Sequence, residues 1–178
     1  YLSGIEDKIL VRINFDGETL ADEWALKCGL YVNQTPNVKV CEFLTNNSID
    51  PRTYIDQMDS AKTTFNCSFH PGQMSLKKFF EHIDLLRNAG FRVIANTVVI
   101  PQLVGELPAL VKTFEEKGVV LRPALLFGYF KGKIFPHDYT QSELSSIINH
   151  FYSEFPFAYE LGRSPKGMDC YAGVDMLG

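Results

Sequence analysis

Polar residues able to do chemistry stand at the ends of apolar runs. "NFDGETL" carries Asp16, Gly17 and Glu18, "LTNNS" carries Thr45 and Asn46, "CSFHPG" carries Ser68, His70 and Pro71, and "NTVVIP" carries Asn96 and Pro101. Glycine lets a backbone come close to a ligand. A carboxylate can accept from charged or neutral donors, and hydroxyl and amide side chains can both donate and accept. Each residue also has a plainer reading. Glu18 is a first-turn acid favoured by the helix dipole. Ser68 and Asn96 are satisfied polar core residues, and His70 is a turn residue before proline.

These groups must be positioned by an alternation of strands and helices. Strands are expected over 8–15, 38–45, 63–69, 91–100 and 119–127, each an apolar run bounded by turn residues. A helix follows from about Leu20, with Thr19 as its cap and Asp22 in its first turn. Another is expected from Asp50-Pro51, where Asp caps and Pro takes the tolerated first position. Over 75–90, Ser75 caps a helix whose apolar stripe is Leu76, Phe79, Phe80, Ile83 and Leu86, and Gly90 ends it. A helix running to Lys117 ends at Gly118. Thr140 and Glu143 form a capping box that opens a last helix. Strand, helix and strand at this spacing make right-handed parallel units. The expected fold is α/β, a partial, open parallel βα barrel of about five strands.

One face of these strands is polar. Arg12, Asn14 and Asp16 oppose Val11, Ile13 and Phe15; Glu42 and Asn46 fall together; Asn66, Ser68 and His70 oppose Phe65, Cys67 and Phe69. Asn96 and Arg122 stand in the fourth and fifth strands. A closed small barrel is filled by branched apolar side chains, and a polar lumen there is costly. An open barrel with a wet or ligand-filled interior removes that cost. So does a solvent-exposed face on an ordinary two-layer sheet. Arg12, Asn14, Glu42, Asn66, Ser68 and Asn96 are expected to point toward one concave interior.

The 178 residues are 46% hydrophobic and 21% charged, with a net charge of −4 and no basic run. That balance argues against nucleic acid as a partner. No apolar run is long enough to span a membrane, so no membrane partner is expected. The four cysteines, Cys28, Cys41, Cys67 and Cys170, are scattered without a Cys-x-x-Cys. A reducing, cytoplasmic setting is expected. Cys28, Cys41 and Cys67 read as small buried apolar residues.

The order of elements and the four strand-end motifs resemble the radical S-adenosylmethionine (SAM) family, over nearly the whole chain. Asp16-Gly17-Glu18-Thr19 resembles the family's Gly-Gly-Glu-Pro-like motif. Thr45-Asn46 resembles its Thr-Asn-Gly, and Ser68, His70 and Pro71 resemble its third motif. Asn96 and Pro101 match an Asn-x-Val-x-x-Pro pattern. The resemblance implies a TIM-barrel-like partial βα barrel that binds SAM through Gly17, Glu18, Asn46, Ser68 and Asn96. His70 and Arg122 are substrate-side candidates, and no catalytic residue is assigned. It also implies a [4Fe–4S] cluster, a reductant, and a 5′-deoxyadenosyl radical that abstracts hydrogen from a small-molecule or peptide substrate.

The family's Cys-x-x-x-Cys-x-x-Cys loop is not in this sequence. By the resemblance it would lie upstream of Tyr1, and the chain is expected to be part of a longer protein. Residues 1–158 would be the partial barrel and 159–178 the start of a C-terminal extension. There Cys170, Ala172 and Gly173 resemble the entry to a SPASM or twitch auxiliary-cluster region, with Cys170 a weak cluster candidate. The chain alone is expected to be inactive on SAM. Two alternatives stand beside this reading: a cluster-less βα-barrel binding module, and an unrelated βα-barrel enzyme using Glu18, His70 and Arg122 in acid–base chemistry. The segment 127–140 could contact substrate or pack over the barrel mouth.

Overall fold

A computed structural model describes residues 8–15 and 17–150. Five strands, β1 (Ile9–Ile13), β2 (Val38–Thr45), β3 (Thr63–Ser68), β4 (Arg92–Val99) and β5 (Leu121–Leu125), form one parallel sheet in the order β1-β2-β3-β4-β5. The first and last strands do not pair with each other, so the sheet is open rather than a closed barrel. Sequential order with right-handed crossovers sends every connection over the same face. The helices are α1 (Glu23–Gln34), α2 (Leu76–Asn88), α3 (Leu107–Glu116) and α4 (Gln141–Ile148).

Alternation along the strands divides the sheet into a sealed face and an open one. Cys41, Phe43, Phe65, Cys67, Ala95 and Val99 all point to the sealed side and are fully buried. Aromatic rings hold that layer together. Phe65 stacks on Phe43 at 5.7 Å and meets Phe91 edge-on at 5.2 Å, and Phe80 lies 4.7 Å from Phe114. From α2, Phe79, Phe80, Ile83 and Leu86 are buried, as the stripe in the sequence requires. Ser75 caps that helix by accepting from the Lys78 amide, and Gly90 follows it at φ +85°. On the other face Asn66, Ser68, Asn96 and Arg122 are only partly buried.

Two helix boundaries differ from expectation. Thr19 does not cap a long helix. Thr19–Ala21 is a 3-10 turn capped by Glu18, and α1 begins at Glu23 with Asp22 as its cap, its carboxylate accepting from the Ala25 amide at 2.8 Å. Asp50-Pro51 opens no α-helix either. Two 3-10 turns, Pro51–Thr53 and Ile55–Gln57, fill the β2–β3 connection. Asp50 does cap the first of these through Arg52, but the buried Tyr54 interrupts the run at φ −138°.

The 127–140 segment contains an antiparallel hairpin, β6 (Gly128–Phe130) and β7 (Lys133–Phe135). Its side chains divide between packing and exposure. Phe135 packs against Tyr139 at 4.7 Å, and the Tyr139 hydroxyl donates to the Val99 carbonyl. Phe127, Tyr129 and Ile134 stay exposed. The Thr140–Glu143 capping box forms as expected. No helix among the described residues is long and apolar enough to cross a membrane. The expected extension at 159–178 lies outside the described residues.

Candidate ligand site on the open sheet face

The polar residues of the open face are joined in one chain of hydrogen bonds across four strands. On β1 the Arg12 Nε donates to Glu42 Oε2 on β2 at 2.5 Å. On β3 the Asn66 Nδ2 donates to the other carboxylate oxygen, Oε1, at 2.9 Å. The Asn96 Nδ2 of β4 donates to Asn66 Oδ1, and the Ser68 Oγ donates to Asn96 Oδ1 at 2.8 Å. Parallel register sets this up, because Arg12 lies opposite Glu42 and Ser68 opposite Asn96. Glu42 is the anchor. It is 2% exposed while its partner Arg12 keeps 45% of its side-chain surface, so one end of the pair is wet and the other dry.

A second polar cluster forms the rim at the C-terminal ends of β1 and β2. Gly17 has φ +86°, a conformation glycine adopts without strain, and turns the chain into the 3-10 segment. The adjacent Glu18 carboxylate then collects three donors: the Leu20 amide at 2.9 Å, the Thr45 hydroxyl at 2.6 Å and the Asn46 amide at 2.6 Å. Those bonds tie the β1 loop to the end of β2. A carboxylate offers about four acceptor positions, so one remains for a further donor. Thr45 lies opposite Cys67 in the register, one position before Ser68. The rim at Asn46 therefore runs on to the Ser68–Asn96 pair.

Of the candidate residues, Gly17, Glu18 and Asn46 share the rim, and Ser68 and Asn96 are bonded to each other. His70 is half-buried in the turn after β3, its carbonyl accepting from the Gln73 amide. Arg122 lies opposite Asn96 in the register, but its side chain lines a pocket with Gly118, Val119 and Val120 at the other end of the sheet. Asn14 is exposed just beyond β1. Thr45, which clamps Glu18, is the rim residue whose role the sequence did not show. Its signal in the sequence was its place in the Thr45-Asn46 motif, which did not point to Glu18.

The three described cysteines do not suit an iron–sulfur cluster. Cys41 and Cys67 are wholly buried on the helix-facing side of the sheet. Burial pushes the Cys41 thiol up to about 12 and raises the Cys67 thiol strongly as well. A metal ligand must be a thiolate, and these environments disfavour it. Cys28, expected to be buried, is exposed on α1. The reason is helical phase: Ala25, Gly29 and Val32 carry the packed face, and Cys28 falls off it. No group of three or more His, Cys, Asp or Glu that could hold a metal occurs among the described residues. Cys170 lies outside them.

Neither a protein-family model nor a curated protein matches this chain. The open parallel α/β sheet is of a general type that binds nucleotides and other substrates at the C-terminal ends of its strands.

Proposed function

We propose that the rim and open face bind S-adenosylmethionine, as the cofactor- and substrate-holding part of a radical SAM enzyme. The observation that carries this reading is the continuous polar surface from the Glu18-held rim to the Ser68–Asn96 pair, on the sheet face opposite Cys41, Phe43, Phe65 and Cys67. Gly17 and Glu18 would hold the ammonium of the methionine moiety, by backbone approach and by the remaining carboxylate lone pair. Asn46, Ser68 and Asn96 would face the ribose or the carboxylate. His70 would stand on the substrate side. The family's chemistry requires a [4Fe–4S] cluster held by thiolates. Cys28, Cys41 and Cys67 do not fit one, so the role assigned to the described residues is binding and orientation alone.

A second reading, a cluster-less binding module, is favoured by the burial of Cys41 and Cys67. Two measurements test these readings. Calorimetry with SAM should show saturable binding, weakened about ten-fold by Ser68→Ala or Asn96→Ala, the equivalent of one or two lost hydrogen bonds. Absence of SAM binding, or unchanged affinity in both variants, would overturn the SAM assignment. Anaerobic reconstitution with iron and sulfide, assayed for 5′-deoxyadenosine under dithionite, should give no cluster and no product from this chain alone. Product well above a no-protein control would show that the chain is a self-sufficient enzyme.

A further inference from the structure

The Glu18 rim is tied to α2 by a chain of hydrogen bonds that begins in the protein interior. His82 is one of the buried residues of α2, 6% exposed. Its Nδ1 lies 2.8 Å from the Asn47 carbonyl in the loop after β2. A carbonyl only accepts, so Nδ1 carries the proton and donates it. The Asn47 amide donates to Thr45 Oγ1 at 2.9 Å, and the Thr45 hydroxyl donates in turn to Glu18 Oε1 at 2.6 Å. The Asn47 side chain makes a second tie to α2, its Nδ2 donating to the Phe79 carbonyl at 3.1 Å. Between these contacts sits Asn46. Its amide donates to Glu18 Oε2 at 2.6 Å, and its side-chain oxygen accepts from the Ser48 amide at 2.9 Å.

Asn47 holds its place at a cost. It is fully buried at φ +61°, in the left-handed region that asparagine enters more readily than most residues but not freely. Its Oδ1 is buried with no hydrogen-bond partner among the described residues. Conformations of this kind persist where the surroundings over-determine them, and they gather at functional sites. What the surroundings fix here is the β2 side of the rim. We propose that Asn47 and His82 are positioning residues for the ligand rim. They fasten the loop after β2 to α2, so that the Asn46 amide and the Thr45 hydroxyl meet the Glu18 carboxylate and orient it. Neither touches a ligand in this role; both act through Thr45, Asn46 and Glu18. In a buried series of this kind each bond strengthens the next. That the oriented carboxylate serves SAM rests on the reading above, whereas the positioning itself does not.

The test compares His82→Leu, which keeps bulk but removes the donor, with His82→Asn, whose Nδ2 stands in the place of Nδ1 and can donate to the Asn47 carbonyl. Amide hydrogen exchange is followed on the intact chain without ligand. In His82→Leu the Asn46 and Asn47 amides should exchange about ten-fold faster relative to the amides of β3 and β4, the equivalent of one lost hydrogen bond. His82→Asn should restore most of that protection. Asn47→Gly is the second variant. Glycine takes the left-handed conformation without strain, which preserves the fold, while loss of the tie to Phe79 should release the Asn46 amide in the same way. A uniform change at all amides, unchanged protection of Asn46 in both His82→Leu and Asn47→Gly, or His82→Asn behaving like His82→Leu would overturn the proposal. Calorimetry with SAM reads the consequence for the ligand: His82→Leu should bind about ten-fold more weakly and His82→Asn close to wild type. Unchanged affinity in His82→Leu would overturn the positioning role. A wild-type chain that binds no SAM overturns the SAM reading alone, because the exchange measurement is made without it.

Discussion

Glu18 illustrates how much a single side chain at a strand mouth can carry. Its carboxylate accepts from two backbone amides and one hydroxyl, so it is a structural clamp whatever ligand the rim holds. Glu18→Gln keeps the shape but turns a donor toward one of those donors. We expect it to lower stability by about 2 kcal/mol, the scale of a hydrogen bond to a charged group, read as the shift in a urea unfolding midpoint. An unchanged midpoint would mean the clamp contributes nothing. Loss of SAM affinity in that variant is therefore meaningful only beside a stability measurement. Cys41 gives a second residue-scale expectation. Burial raises its thiol from 9.0 to about 12, so the folded chain keeps a proton that the unfolded chain has released. The stability this contributes is fully present below pH 9 and is lost as pH rises from there to about 12. Cys67 acts with the same sign. Unfolding measured across that window should show a shallower decline in Cys41→Ala than in the wild type. At neutral pH a thiol reagent should modify exposed Cys28 quickly and Cys41 and Cys67 only on unfolding.

At the scale of elements, α1 meets the Phe43 ring of β2 through a glycine. Gly29 sits inside a helix, where glycine costs about 1 kcal/mol relative to alanine. Propensity alone therefore predicts that Gly29→Ala is stabilising. The structure predicts the opposite, because a Cβ there would come within 2.1 Å of the Phe43 ring. Phe43 is fully buried and stacked on Phe65, so it has little room to move. Overpacking of this kind costs about 1–3 kcal/mol. We expect Gly29→Ala to lower the melting temperature, and a rise would show that Phe43 repacks freely. The helix boundaries make a related point. The capping box at Thr140 and the Ser75 cap form where local chemistry puts them. Asp50-Pro51 has equally good local chemistry, yet only 3-10 turns follow, because Tyr54 is drawn into the core beside Phe65 at 5.6 Å. Capping residues mark where a helix can start, while burial decides whether it continues.

For the whole molecule, the question is what holds the polar sheet face in one arrangement. The Arg12–Glu42–Asn66–Asn96–Ser68 chain spans four strands, and its central carboxylate is buried. Removing Glu42 alone takes away the carboxylate that Arg12 and Asn66 share. Glu42→Ala should cost about 2–3 kcal/mol, less than a fully buried pair because Arg12 is partly solvated. The double variant Arg12→Met/Glu42→Met should recover most of that, since an apolar pair needs no partner. Chemical denaturation of the single and double variants would read the coupling, and a double variant as unstable as the single would mean that the network depends on more than this pair. The alternation of side chains along each strand already told, from sequence, that Arg12, Glu42, Asn66, Ser68 and Asn96 share a face and that Cys41 and Cys67 oppose it. Period two does not depend on tertiary context, and neither does the βα order that gave an open parallel sheet. Three things needed the folded chain. Register brought Arg12 to Glu42 and Ser68 to Asn96, and no single strand contains that information. Helical phase against the core left Cys28 exposed. The meeting of α2 with the loop after β2 placed His82 against Asn47, 35 positions apart, where no local pattern links them. Local chemistry is legible along the chain because it acts between near neighbours, whereas a site assembled from separate elements exists only once long-range packing has chosen their register.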